Sequence, residues 1–135
     1  MAIILVAEDD RHIMRVISLW LTRNGHTVRE SADGVEALGQ LRAGGIDLMI
    51  CDINMPGMSG LQVLEVASRE DVLPGGVIIL SSRCDQKEIE RQIAAYGGAV
   101  HPKPFSPSRL IRLVEESLAG RAVAPTAAIG TSCND

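Results

Sequence analysis

Short runs of mostly apolar residues in this chain stop, again and again, at side chains able to do chemistry. ILVA is followed by Glu8-Asp9-Asp10, MIC by Asp52, VIIL by Ser81-Ser82 and AVHP by Lys103. If these runs are parallel strands, the polar residues meet at one edge of a sheet. Two like charges about 4 Å apart repel by roughly 4 kcal/mol at an effective dielectric of 20, so carboxylates gathered from two strands are costly unless protonated or neutralised. A divalent cation is the natural counter-charge. Oxygen donors without His or Cys suit Mg²⁺, which keeps waters and recruits phosphate oxygens. The Ser81 hydroxyl and the Lys103 ammonium add an anion site, able to hold a phosphoryl group on Asp52 through charge-assisted contacts. Carboxylates form covalent aspartyl phosphates, so Asp52 qualifies as the nucleophile.

The elements that must position these residues are legible in the apolar pattern. Ile3 to Ala7, Leu48 to Cys51 and Val77 to Leu80 do not alternate apolar with polar, as expected for strands covered on both faces. Thr27 to Ser31 carries Arg29 and Glu30, and Ala99 to His101 stops at Pro102, so these two are candidates for less buried or edge strands. Between them lie helical patterns. Ile13, Ile17, Trp20 and Leu21 share a face before Asn24-Gly25, and Val35, Leu38 and Leu41 precede Gly44-Gly45. Leu61, Leu64 and Ala67 form a third stripe. Ile89 and Ile93 form a fourth after Asp85, a candidate cap. Leu110, Ile111, Val114 and Leu118 form the last, with Ser106 as cap and Pro107 at the first helical position.

Strands alternating with helices predict an α/β fold: an open, doubly wound parallel sheet of five strands with helices on both faces. Such sheets bind ligands beyond the carboxyl ends of their strands. Residues 1–119 are expected to form one domain, and 120–135, rich in small residues without a period, a loose tail.

Composition narrows the function. The chain has 135 residues, enough for one core, and a formal charge of −4 that leaves no basic footprint for nucleic acid. Trp20, Tyr96 and Phe105 are the only aromatics, too few for base-stacking platforms. No apolar run approaches the roughly 18 residues of a membrane span, and MAIILVAEDD reads as a strand, not a signal peptide, so a soluble cytoplasmic protein is expected. Cys51, Cys84 and Cys133 are read as free thiols.

Single residues also have plainer readings. Asp10 is expected to cap the first helix and not to bind metal. Ser81 alone would be a turn residue and Lys103 alone a surface lysine; their places at strand ends are what raise them. Gly57 and Gly60 satisfy tight loop geometry, Met55 and Met58 pack, and Cys51 is a buried structural thiol. His12, His26 and His101 show no ligand spacing and are expected at the surface.

Taken together, ILVAEDD, CDINMPGMSG, Ser81 at the end of the fourth run and KPF at Lys103 to Phe105 resemble the response-regulator receiver family over nearly all of positions 3 to 119. That resemblance implies a flavodoxin-like sheet in the order 2-1-3-4-5. It also implies Asp52 as phosphoacceptor and a Mg²⁺ site formed by Glu8, Asp9 and Asp52 with the backbone carbonyl of Asn54, Asp9 being a direct ligand. Ser81 is then the switch hydroxyl, Lys103 the phosphoryl contact, and the Lys103-Pro104 peptide cis. The donor would be a histidine kinase or histidine phosphotransfer protein, and the downstream protein would bind the face of helix four, strand five and helix five. Asn54 and Arg83 would tune hydrolysis of the acyl phosphate. The family usually carries an aromatic three residues before the lysine. Here that residue is Val100, and Pro102 removes a strand N–H next to Lys103.

The expectation is a stand-alone switch, not an enzyme, with output by protein contact or onward phosphotransfer. A phosphorylation-independent adaptor is the alternative that Val100 keeps open. A phosphatase of the haloacid dehalogenase type is weaker, because Asp52-Ile53-Asn54 lacks the second Asp of its D-x-D-x-T signature. A flavin module is weaker still, since the first strand-helix turn is acidic where a phosphate cradle needs free N–H groups.

Overall fold

The computed structural model of the chain describes residues 2–81, 86–96, 98–102 and 106–119. Five strands alternate with five helices: β1 (Ile3–Ala7), α1 (Arg11–Arg23), β2 (Thr27–Ser31), α2 (Gly34–Ala43), β3 (Leu48–Asp52), α3 (Gly60–Arg69), β4 (Gly76–Ser81), α4 (Gln86–Ala94), β5 (Ala99–Pro102) and α5 (Pro107–Ala119). All strand pairs are parallel, and the order is β2-β1-β3-β4-β5. The expected doubly wound sheet is therefore present.

Strand alternation divides the core in two. Leu5, Met49, Cys51, Val77, Ile79 and Val100 face the layer of α2, α3 and α4, where they meet Leu38, Leu41, Val63, Leu64, Ile89 and Ile93. Ile4, Val6, Leu48, Ile50, Ile78 and Leu80 face α1 and α5, against Met14, Ile17, Leu21, Leu110, Leu113 and Val114. Burying one such side chain contributes about 1.5–3 kcal/mol, so the continuous apolar strands are what fix the layers.

Several side chains sit elsewhere than the periodicity suggests. On α1 the buried stripe runs through Met14, Ile17 and Leu21, which leaves Trp20 on its flank and exposed. Val35 lies in the first turn of α2, off the face made by Ala37, Leu38 and Leu41, and is 59% exposed. Leu61 is only partly buried, the deeper position being Val63. Thr27 to Ser31 is indeed an exposed edge strand, whereas β5 is an edge strand that is nonetheless buried. His101 belongs to it and is 5% exposed, which corrects the surface placement expected for it: alternation turns it away from Val100 to the face where Ala99 packs under α5.

The cap at Asp10 is present, its Oδ1 accepting the N–H groups of His12 at 2.9 Å and Ile13 at 3.3 Å. Ser59 and Gln62 close a reciprocal capping box on α3. Pro107 opens α5. The proposed cap at Asp85, the thiols of Cys84 and Cys133, and the tail from residue 120 lie outside the described residues.

Candidate functional site

The carboxyl ends of β1 and β3 are neighbours because β1 pairs directly with β3, Ala7 opposite Cys51. The next residue on each strand is an acid. Glu8 keeps strand geometry for one more bond, its N–H donating to the Ser31 carbonyl at 3.0 Å. Its side chain is 2% exposed and accepts from the Asp10 N–H at 3.2 Å. Asp52 ends β3, is 6% exposed, and accepts from the Asn54 N–H at 3.3 Å. Asp9 is exposed at the rim.

One carboxylate oxygen each from Glu8, Asp9 and Asp52 lies within 4.8 Å of the others. Two of these acids are buried, where water screens their repulsion poorly. The donor set is all hard oxygen, and so fits a hard divalent cation such as Mg²⁺ and offers nothing to a soft one. A cavity of about 780 Å³ opens beside Glu8 and Asp9, lined also by Arg11, Arg15, Glu30 and Glu36. Asp10, turned to its cap, takes no place in the acidic group.

Past Asp52 the chain folds back sharply. Ile53 N–H donates to Leu80 O at 3.0 Å, and Gly60 N–H to Ile53 O at 2.9 Å, closing the β3–α3 loop. Gly57 takes φ +81° in that loop. Gly60 is needed for space instead: a Cβ there would lie 2.8 Å from the Asp52 carbonyl oxygen. Met55 and Met58 pack against the core, as expected.

Ser81 ends β4, 1% exposed, one residue past the Leu80 that pairs with Asp52. Lys103, Arg83 and the Lys103-Pro104 peptide lie outside the described residues. Cys51 is fully buried on the α3 side, and burial, then the negative charges of Asp52 and Glu8, hold its thiol well above the usual range. It is no nucleophile. Sequence reasoning passed over Gly34, whose backbone touches the β3–α3 loop; a glycine opening a helix was the available signal.

Against known proteins, the sequence model of the response regulator receiver domain matches residues 4–115. The chain belongs to the response-regulator receiver family. It is 30% identical to the response regulator GtcR of Aneurinibacillus migulanus, over 85% of this chain and 47% of that protein. It is 35% identical to the uncharacterized transcriptional regulatory protein YrkP of Bacillus subtilis, over 90% of this chain and 48% of that one. The receiver thus spans about half the length of these curated relatives. Among solved structures, the chemotaxis response regulator CheY4 of Vibrio cholerae superposes with a TM-score of 0.76 at 28% identity, covering 87% of this chain and 99% of that one. This receiver carries the CheY fold and an acidic pocket compatible with Mg²⁺, and no helix among the described residues is long and apolar enough to cross a membrane.

Proposed function

We propose that this receiver takes a phosphoryl group onto Asp52 from a phosphohistidine of a histidine kinase or histidine phosphotransfer protein. The observation that carries the reading is the approach of the Glu8, Asp9 and Asp52 carboxylates to within 4.8 Å. In the transfer an Asp52 oxygen attacks phosphorus, the P–N bond to the donor imidazole breaks, and an acyl phosphate remains. Glu8, Asp9, Asp52 and the Asn54 carbonyl form the metal site in this reading, with Asp9 as a direct ligand and the Glu8 carboxylate held by the Asp10 N–H. Mg²⁺ bound there would neutralise charge on the transferring group. The Asn54 N–H on the Asp52 carboxylate orients the acceptor. Ser81 and Lys103 are assigned the remaining phosphoryl oxygens.

Output follows by altered protein contact at the face of α4, β5 and α5, or by onward phosphotransfer. A donor charged from a nucleoside triphosphate puts the reaction in the cytoplasm. The aliphatic Val100, buried against the core of α2, α3 and α4, favours a second reading in which partners bind irrespective of phosphorylation.

Intact-mass measurement tests the first reading. Wild-type protein with Mg²⁺ and a small acyl phosphate is expected to gain one phosphoryl group, and neither chelator-treated protein nor Asp52→Asn should gain it. An unmodified wild type refutes the assignment. Equal capture of a partner by the wild type and Asp52→Asn, each exposed to the phosphodonor, would support the second reading.

A further inference from the structure

We propose that Gly34, at the start of α2, is a positioning residue for the acidic site: its missing side chain sets where the β3–α3 loop lies. The inference rests on the phosphoacceptor reading above and concerns a different element.

A Cβ built on Gly34 would overlap the Met58 carbonyl oxygen and stand 2.6 Å from Met58 Cβ and 2.8 Å from its carbonyl carbon. Most of that obstacle is backbone, so rotating a side chain does not relieve it. Gly34 is not among the positive-φ glycines, so space and not conformation demands glycine here.

Of the two sides in contact, the loop is the one that yields. The start of α2 is fixed by Asp33 Oδ1 accepting the Glu36 N–H at 2.7 Å and by Glu36 Oε1 accepting the Ala32 N–H at 2.8 Å. Ala37, Leu38 and Leu41 then anchor the helix in the core. The loop is held at Met55 and Met58, which pack on the core, but Asn54, Pro56 and Gly57 are exposed and free to shift, and Gly34 N–H reaches Pro56 O at only 3.4 Å. At its far end a Cβ on Gly60 would meet the Asp52 carbonyl, so the loop is confined between two glycine contacts. Met58 N–H donates to Pro56 O at 3.0 Å, which ties Met58 to the stretch that carries Asn54, whose N–H holds Asp52 Oδ1.

The test compares Gly34→Ala with Gly39→Ala in the full chain, because a Cβ at Gly39, in the same helix, meets nothing within 4 Å. Calorimetric Mg²⁺ titration is expected to show binding weakened on the order of tenfold in Gly34→Ala and unchanged in Gly39→Ala. Thermal unfolding in chelator reports any purely structural effect, which by itself leaves the Mg²⁺ affinity alone. Wild-type affinity in a folded Gly34→Ala overturns the proposal. If that variant does not fold, hydrogen exchange on the wild type decides, because linkage is reciprocal: Mg²⁺ must slow exchange at the Gly34 amide and not at the Gly25 amide, which opens locally in the turn at the opposite edge of the sheet, and an unaffected Gly34 amide overturns the inference. A wild type that binds no Mg²⁺ overturns the phosphoacceptor reading, and this inference with it.

Discussion

His101 and Asp52 are both polar side chains buried at the carboxyl end of the sheet, but only one was legible in the sequence. Asp52 interrupts an apolar run, and an acid after MIC has few structural uses. His101 sits in a brief run before a proline, and its burial depends on α5 covering an edge strand, which no local pattern announces. The structure also leaves its Nε2 without a hydrogen-bond partner among the described residues. Burial first, and then the positive charge of Arg109, push the His101 pKa below the usual 6.5. The unfolded chain therefore takes up a proton as pH falls below about 6.5, while the folded chain stays neutral until its own lower pKa is reached. Stability is fully present above the unfolded value and declines as pH falls through that window. Urea unfolding at pH 7.5 and 5.5 should show a smaller loss for His101→Val than for the wild type; equal losses would mean that other groups carry the acid sensitivity.

At the scale of the element, caps and ties were partly readable. Asp10 was marked by its place before an apolar stripe, and its two hydrogen bonds justify the reading. Asp10→Ala is expected to cost about 1 kcal/mol in urea unfolding and to keep Mg²⁺ binding, whereas a metal ligand would lose it. The tie between α2 and α3 was not readable. Arg42 Nε and Nη2 each donate to a Glu70 oxygen at 2.7 Å, across 28 residues of sequence. The mutual hydrogen bond raises the Arg42 pKa and lowers that of Glu70. Both groups are exposed, so the pair orients the two helix ends more than it stabilises them. Trp20 and Val35 were misplaced for a common reason: a helical stripe has flanks, and residues there count as apolar in the pattern yet remain outside.

For the molecule as a whole, the layered order followed from unbroken apolar strands, and only the exact partition of side chains needed coordinates. The two cores share every central strand, so they are expected to melt together. Ile17→Ala, on the α1 side, and Leu64→Ala, on the α3 side, are each expected to lower stability by about 2–5 kcal/mol. Each should shift one common denaturation transition. Two separate transitions by fluorescence and circular dichroism would show that the layers unfold independently.

The two margins of the sheet have a further consequence. β2 carries Arg29, bonded to the Gly44 carbonyl, and Glu30, which accepts from Ser18 Oγ. β5 is four residues long and ends in Pro102, which has no N–H to give. β2 thus carries charged side chains on its margin, and β5 lacks one backbone donor at its end. Such features discourage strand-to-strand pairing between copies of this chain.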